Sequence, residues 1–271
     1  MNPEIVVIGY TNIDVNVTTH STTTSPGGAA YFVALAASRI LKPIGLVTRI
    51  GKDFDPAFLL KQVLSEGVHI IVDKPTAKST QIYHSLTDLT QRSITLDWGV
   101  APDLNPDDIP PGWIQHAKYI HIGTMPPKQQ HTFTEYLKTV PNQAKISIDT
   151  DIAFLNDEEN IKIITSNFAA CDMVFANRRE YQLLKPVLDN AKEAIIKQDS
   201  DGAYYMQHGK IMESVTTDKI KAVDVTGAGD IFAGTFIGCS AMGKSTGECL
   251  QKAAQVATLA VAKDGIQHLF D

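Results

Sequence analysis

Short apolar runs rich in β-branched residues alternate along this chain with longer segments of helical pattern. The runs are apolar throughout and do not alternate with polar residues, which indicates strands buried on both faces. Strands of this kind separated by helices are typical of a largely parallel sheet with helices on both sides. The predicted strands are residues 5–9, 44–48, 68–73, 119–123, 146–149, 173–177 and 194–197, and the predicted helices include residues 29–41 and 54–66.

Two segments depart from this pattern and predict a small β-sheet flap. Residues 15–25 are rich in Thr and Ser, and residues 79–96 contain two polar, alternating stretches around a turn. Such alternation is typical of antiparallel strands with one face in water. We expect a flap built from about residues 12–25 and 75–100, the alternative being two exposed loops. With no linker or internal repeat in the sequence, a single α/β domain over residues 1–271 is predicted.

The composition excludes several classes of function. A hydrophobic fraction of 44% allows a sizeable core, and a net charge of −6 gives no basic patch for nucleic acid. The three cysteines are too few and too scattered for a disulfide framework or a zinc site, which favours buried thiols in a reducing compartment. No segment approaches the length of a membrane span, and the N-terminus lacks the pattern of a signal peptide. We therefore expect a cytoplasmic protein that binds neither nucleic acid nor membrane.

The most informative segment is residues 223–234, where small residues precede an apolar helical run. Gly227, Ala228 and Gly229 let backbone N–H groups approach an anion at a helix N-terminus, where the helix dipole favours phosphate. Asp230 falls in the first turn of that helix and has two interpretations. It is either an ordinary acidic residue complementing the dipole, or a carboxylate placed to accept the proton of an attacking hydroxyl.

The string Asp-Val-Thr-Gly-Ala-Gly-Asp at residues 224–230 resembles the C-terminal signature of ribokinase-like carbohydrate kinases of the phosphofructokinase B type. Further segments resemble the family's motifs in the same order, and they are residues 9–14, 26–28, 51–53 and 171–180. The resemblance covers most of the chain and implies a three-layer α/β/α sandwich with a mainly parallel central sheet and a small β-strand lid. It also implies transfer of the γ-phosphate of ATP to a hydroxyl of a small sugar-like or nucleoside-like acceptor.

The resemblance assigns roles to individual positions. Asp230 would be the catalytic base, and Gly227, Ala228 and Gly229 would form the anion hole for the transferring phosphoryl group. The acceptor hydroxyls would be bound by residues near the N-terminus, namely Asn12, Asp14, Gly27 and Gly28. The flap would be the lid that closes over the acceptor, and in several relatives such a lid also forms a homodimer interface.

The nucleotide and its metal ion receive a second set of residues from the same resemblance. The residues implied for nucleotide binding are Lys197, Asp199, Gly202, Thr226 and Asn177. Asn177 and Glu180 would act on Mg²⁺ through its water shell, because Mg²⁺ keeps several waters. The alternative for these two residues is a helix start, with Asn177 as N-cap and Glu180 completing a capping box.

Three departures from the family pattern bear on function. Ala29 and Ala30 follow the first glycine pair where the family often has a polar residue, which leaves the acceptor class open. Asp199 stands where a glycine is usual and puts an acidic side chain near the nucleotide phosphates. Val225 replaces a threonine in a neighbourhood that binds a monovalent cation in some members, so activation by such a cation is an open question. A catalytically weak sensor that binds a nucleotide or a sugar is the alternative function.

Residues 238–245 also satisfy the P-loop pattern Gly-x4-Gly-Lys-Ser. A P-loop needs a strand directly before it, whereas the preceding residues predict a helix. We interpret Gly243 as the end of that helix, and Ser245 with Glu248 as a capping box for the next one.

Overall fold

The computed structural model describes residues 2–17, 21–53, 67–71, 81–88, 91–155 and 157–262. Within these ranges no helix is long and apolar enough to cross a bilayer. The strands in chain order are β1 (Ile5–Ile8), β2 (Asn12–Val17), β3 (Thr22–Gly27), β4 (Ile44–Val47), β5 (Val68–Ile71), β6 (Gln81–Asp88), β7 (Gln91–Asp97), β8 (Tyr119–Ile122), β9 (Lys145–Asp149), β10 (Met173–Asn177), β11 (Glu193–Lys197), β12 (Ala203–Gln207) and β13 (Lys210–Val215). The helices are α1 (Ala29–Ser38), α2 (Trp113–His116), α3 (Pro127–Thr139), α4 (Glu158–Ala170), α5 (Arg178–Leu188), α6 (Ala228–Ala241) and α7 (Thr246–Ala260).

A nine-stranded central sheet has the order β13-β12-β11-β10-β9-β8-β1-β4-β5. All the pairings from β11 to β5 are parallel, which confirms the predicted, mainly parallel sheet. The antiparallel strands β12 and β13 at one edge were not predicted. The sequence signal is weak there because β13 is exposed along nearly its whole length and so carries no apolar run.

Helices cover both faces of this sheet and give it three layers. Helices α1, α6 and α7 contribute to one buried cluster together with Ile5 and Val7 of β1. Helices α3, α4 and α5 contribute to a second cluster together with Val6 and Ile8 of the same strand. Successive β1 side chains thus point into opposite cores, which is why that strand is apolar throughout. The predicted helix at 54–66 lies outside the described residues.

A separate four-stranded sheet has the order β3-β2-β6-β7 and comes from the segments in which the sequence predicts a flap. The expectation of purely antiparallel strands was wrong in one respect, because β2 and β6 pair in parallel. Each half is an antiparallel pair of consecutive strands, β2 with β3 and β6 with β7. The two pairs come from distant parts of the chain and join through β2 and β6, which run in the same direction. A local sequence pattern does not encode the relative direction of two such strands.

The P-loop alternative fails on local structure. The segment before Gly243 is helix α6, not a strand, and Gly243 itself has a φ of +76° just after the helix end. Ser245 accepts a hydrogen bond from the Glu248 backbone N–H, and the Glu248 carboxylate accepts one from the Ser245 N–H. The predicted capping box is confirmed, and Lys244 makes only an exposed ion pair with Glu248.

We expect Lys244→Ala to leave nucleotide binding unchanged and to alter the free energy of unfolding by less than about 1 kcal/mol, because an exposed ion pair contributes little. Ser245→Ala in the same turn should destabilise the protein by about 1 kcal/mol through loss of the cap. Calorimetric nucleotide binding and urea denaturation check the two variants. Loss of nucleotide binding in Lys244→Ala would instead support the P-loop.

Candidate active site

The carboxyl ends of the parallel strands meet at one edge of the sheet, where open α/β proteins bind ligands. Strands β9 and β11 end there at Asp149 and Lys197. The Lys197 Nζ lies 3.1 Å from the Asp149 Oδ2, and the two side chains are 15% and 4% exposed. This buried ion pair sits at the centre of the residues predicted to carry the chemistry.

Asp149 is a residue that the sequence analysis missed. Its Oδ1 accepts a hydrogen bond of 3.0 Å from the Thr150 backbone N–H, and its carbonyl oxygen accepts one of 2.7 Å from the Gln130 Nε2. These contacts fix the carboxylate at the strand end. The available signal was a single acidic residue ending an apolar run, at the edge where functional residues of parallel sheets gather.

The predicted anion-binding turn opens helix α6 beside this ion pair. Gly227 is the N-cap with a φ of +71°, and a Cβ at that position would lie 2.6 Å from the Phe32 ring. Only glycine meets both the backbone conformation and the close approach. A Cβ on Gly229 would lie 3.3 Å from the Lys197 Nζ, so the ammonium group borders the turn. The helix start and the Lys197 ammonium group therefore lie side by side.

Asp230 lies in the first turn of α6, as predicted. Burial of its carboxyl group and then the negative charge of Asp149 raise its pKa to about 7, with Lys197 opposing both effects. A carboxyl group that changes charge near neutral pH is suited to accepting a proton.

Asn177 and Glu180 form the capping box of α5, so the helix-start interpretation describes their geometry correctly. The Asn177 Oδ1 accepts from the Glu180 N–H at 2.9 Å, and the Glu180 Oε2 accepts from the Asn177 N–H at 2.7 Å. Burial and then the charge of Asp149 raise the pKa of Glu180 to about 7. The cap thus places a second buried carboxyl group near Asp149.

Lys197 is the cation of this acidic cluster. Burial favours its neutral form, but Asp149, Asp230 and Glu180 together raise its pKa, so it remains charged. Burial also favours the neutral form of Asp149, and for a carboxyl group this raises the pKa. Within the described residues no group of three or more acidic, His or Cys side chains is arranged to hold a metal ion directly.

His121 lies beneath the ion pair, opposite Ser147 in the β8–β9 register. The His121 Nδ1 and the Ser147 hydroxyl are 2.9 Å apart, and burial lowers the pKa of the imidazole to about 3. Its Nε2 has no hydrogen-bond partner within the described part of the chain. The ring also makes an edge contact with Phe175, so this histidine is an uncharged part of the sheet interior.

The residues predicted for the acceptor are brought together by the β2–β3 pairing, which sets Asn12 opposite Gly27. The Asn12 Nδ2 donates to the Asp14 Oδ1 at 2.9 Å, and both side chains are buried. A Cβ on Gly27 would lie 2.0 Å from the Asp14 Oδ2, and one on Gly28 would lie 2.4 Å from the Tyr10 carbonyl oxygen. The glycine pair therefore lets α1 begin directly against the polar ends of β1 and β2.

Asp199 and Gly202 lie in the turn between β11 and β12. Asp199 is exposed and has a φ of +54°, a conformation that glycine adopts without strain. Gly202 has a φ of +102° and packs against the Val215 carbonyl. Arg178 holds the turn through the Gln198 carbonyl and the Asp201 carboxylate, at 2.8 and 2.6 Å.

A cleft of about 720 Å³ lies between residues 215–220 and α7. Its lining includes Val215, Ile220, Gln251, Ala254, Gln255 and Leu259. The Val223 N–H donates to the Val261 carbonyl at 2.8 Å, which ties the segment before the anion-binding turn to the end of α7. Thr226 is held in that segment by a 2.9 Å hydrogen bond from its N–H to the Asp224 carboxylate. The volume is ordinary for a small-molecule site.

The whole chain matches a known family and several known proteins. The sequence signature of the pfkB family of carbohydrate kinases matches residues 2–270. A cytidine kinase of Thermococcus kodakarensis is 30% identical over 268 residues, which cover 92% of each chain. A nucleoside kinase of Methanothermobacter thermautotrophicus is 24% identical, over 89% of this chain and 80% of the relative. A solved Escherichia coli structure, 19% identical, superposes with a TM-score of 0.82 over 100% of this chain and 96% of its own, and shares the fold.

The chain therefore belongs to the pfkB family of carbohydrate kinases. Its fold is the ribokinase-like α/β/α sandwich that the sequence predicts, and its class is that of the sugar and nucleoside kinases.

We expect Asp199→Gly to raise the free energy of unfolding by about 0.5 kcal/mol. A residue with a Cβ is strained at this positive φ, and relief of that strain should outweigh the extra conformational entropy that glycine gives the unfolded chain. Asp201→Gly in the same turn is the control, and it should destabilise the protein because glycine raises the conformational entropy of the unfolded chain. Urea denaturation compares the two. Destabilisation by both variants would show that the strain at Asp199 is negligible.

The pH dependence of stability should report the carboxyl group of Asp230. Between its ordinary pKa of 3.8 and its folded value of about 7, the folded state binds a proton that the unfolded chain has released. This contribution to stability therefore falls as the pH rises through that window and is constant above it. The stability of Asp230→Asn relative to the unchanged protein should rise by about 2 kcal/mol from pH 4 to pH 7, since the partial exposure of Asp230 reduces the effect.

Urea denaturation at each pH measures this difference. Asp107→Asn, which removes an exposed carboxylate, is the matched control for the loss of one negative charge. A flat difference for Asp230→Asn would mean that Asp230 is ionised throughout.

Proposed function

We propose that this protein transfers the γ-phosphate of ATP to a hydroxyl of a small sugar-like or nucleoside acceptor, with Asp230 as general base. The observation that carries the proposal is the placement of Asp230 in the same helical turn as the anion-binding glycines, beside the Lys197–Asp149 pair. Its pKa of about 7 is matched to proton transfer at neutral pH. Phosphoryl transfer needs little covalent help from a protein, so positioning and charge stabilisation account for most of the catalysis.

The transferring phosphoryl group is proposed to bind at the start of α6. The turn of Gly227, Ala228 and Gly229 supplies backbone N–H groups, and Lys197 adds a full positive charge at its border. Donors fixed in place before the reaction stabilise the charge that develops on the phosphoryl oxygens. Lys197, predicted as a nucleotide ligand, is thereby proposed to contact the transferring phosphoryl group and not the adenine base of the nucleotide.

The nucleotide is proposed to lie in the cleft against α7, with its phosphates directed toward Thr226 and Asn177. The link from Val223 to the end of α7 puts the cleft and the anion-binding turn side by side. The Escherichia coli protein of the same fold was solved in complex with ATP and Mg²⁺, which supports the same ligands here. The Asp199–Gly202 turn approaches the cleft through Val215, which packs against Gly202 and also lines the cleft.

Mg²⁺ fits the residues of this edge. The carboxyl groups of Asp149, Glu180 and Asp230 share one buried ammonium group, that of Lys197. Burial, and then the charge of Asp149, raise the pKa values of Glu180 and Asp230 to about 7. Asn177 and Glu180 are proposed to hold the ion through water, in agreement with the lack of a direct ligand cluster among the described residues. When bound, Mg²⁺ neutralises phosphate charge.

The acceptor is proposed to bind between Asn12, Asp14 and the glycine pair, beneath the four-stranded sheet. A hydrogen-bonded amide and carboxylate offer donors and acceptors at fixed spacing, which suits adjacent hydroxyls. The four-stranded sheet is proposed to be the lid, because β2 carries both residues. The single domain over residues 1–271, a homodimer through the lid, a monovalent-cation site near Val225 and a cytoplasmic location stay predictions.

We expect Asp230→Asn to lower kcat by about 10²–10⁴-fold while Mg-ATP still binds, because the variant removes proton acceptance and preserves shape. For the unchanged protein, kcat/KM should rise with pH up to about 7 and level off above it, since the ionised carboxylate is the active form. ADP release across a panel of sugars and nucleosides measures both quantities.

Full activity in Asp230→Asn would remove Asp230 from the role of base. If no acceptor gives turnover, while nucleotide or sugar still binds by calorimetry, the protein is a sensor and not a kinase.

Asp14→Asn should raise the KM for the acceptor by about tenfold or more, because the acceptor loses a hydrogen bond to a charged group. The KM for Mg-ATP should stay unchanged, because Asp14 is not proposed to contact the nucleotide. Steady-state kinetics with each substrate varied in turn make the distinction. Equal changes in both KM values would place Asp14 outside the acceptor site.

A further inference from the structure

An aromatic wall stands beside the residues proposed to bind the acceptor hydroxyls. Tyr10 follows β1 and comes two residues before Asn12, while Trp98 directly follows lid strand β7. Their ring centroids are 6.0 Å apart with an interplanar angle of 77°, an edge-to-face pair. We call these two residues the aromatic wall.

The lid register places Trp98 level with Asn12. In β2–β6 pairing Ile13 is opposite Gln81, and in β6–β7 pairing Gln81 is opposite Asp97. One residue further toward the central sheet, Trp98 therefore lies at the height of Asn12, two strands or roughly 10 Å across. The wall and the hydroxyl-binding pair thus border the same space between lid and sheet.

The Tyr10 ring of the wall is held by hydrogen bonds. The Tyr10 hydroxyl donates to the Gln129 Oε1, and the Gln129 Nε2 in turn donates to the Ala101 and Leu104 carbonyls at 3.0 and 2.7 Å. Burial raises the pKa of Tyr10, so its hydroxyl stays protonated and neutral. Fixed rings present a binding surface with little loss of side-chain entropy.

Trp98 nevertheless keeps an open face. The residue is 37% exposed, although Val100 and Ala101, which follow it after Gly99, are buried. A large aromatic ring that is anchored at its base and open to solvent is suited to packing against a flat ligand.

The chemistry of this wall identifies the acceptor class. A free sugar has hydroxyls around its ring, and Asn12 and Asp14 can form hydrogen bonds to only one side of that ring. Beside this polar pair the chain places the rings of Tyr10 and Trp98. An aromatic ring can stack on any nucleobase, because every nucleobase has a π-face. A nucleoside is also long enough to engage the polar pair and the wall together, whereas a free pentose is not.

We propose that the acceptor is a nucleoside, with its ribose hydroxyls on Asn12 and Asp14 and its base packed against the Trp98 indole. This inference rests on the proposed kinase function and specifies its substrate class. It assigns Trp98 as a specificity-determining residue that touches the base, and Tyr10 as the residue that positions it.

Tryptophan fluorescence tests the contact directly, without phosphoryl transfer. The chain has two tryptophans, and Trp113 is 7% exposed, so in Trp113→Phe the emission reports Trp98 alone. Titration with cytidine or adenosine should change that emission in a saturable way, whereas ribose should not. Calorimetry with the unchanged sequence gives the same comparison if Trp113→Phe does not fold.

Kinetics supply the second arm. Trp98→Ala should lower kcat/KM for the nucleoside by about ten- to a hundredfold, the range expected for one lost base–aromatic contact, with the KM for Mg-ATP unchanged. Trp98→Phe keeps a ring and should stay within about threefold. Leu183→Ala, which truncates a side chain that is 58% exposed on α5, is the control and should have no effect.

The outcomes separate this inference from the kinase proposal. Phosphorylation of free sugars but not nucleosides, or unchanged nucleoside kinetics in Trp98→Ala, would overturn the nucleoside inference and leave the kinase intact. Saturable nucleoside binding at Trp98 with no turnover of any acceptor would support the base contact and overturn the kinase.

Discussion

The buried ion pair of Lys197 and Asp149 is the interaction on which the rest of the site depends. A single ammonium group faces the carboxyl groups of Asp149, Glu180 and Asp230 at the carboxyl edge of the sheet. Removing one partner of such a pair leaves an uncompensated buried charge, which typically costs about 3–5 kcal/mol. The pair also borders the anion-binding turn, so the position of the lysine is set by the same contact that keeps the sheet edge stable.

This arrangement is compatible with the proposed binding of a phosphate at an edge that is rich in acidic residues. Asp230 and Glu180 have pKa values of about 7, so protons partly neutralise the cluster at neutral pH. The start of α6 supplies a positive dipole end at the same place. The acidic groups proposed to accept a proton and to hold a hydrated cation therefore lie directly beside the backbone N–H groups proposed to hold a phosphate.

Much of the fold could be predicted because its signals are local. Uniformly apolar runs predicted the parallel strands, and the small residues of 227–229 before a helical run predicted the start of α6. Ser245 and Glu248 resolved the P-loop alternative through a capping pattern only four residues long. The edge strand β13 escaped prediction because an exposed strand has no apolar run.

The sequence by itself determined the class of sheet and the turn of residues 227–229 that begins α6 beside Asp230, since each depends on neighbouring residues along the chain. Only the tertiary structure decided that Asp149 pairs with Lys197, 48 residues away, and that Trp98 lies level with Asn12 across the lid. Those contacts follow from strand order and register. Apolar runs of similar composition do not specify which strand lies beside which, because every neighbour buries much the same surface.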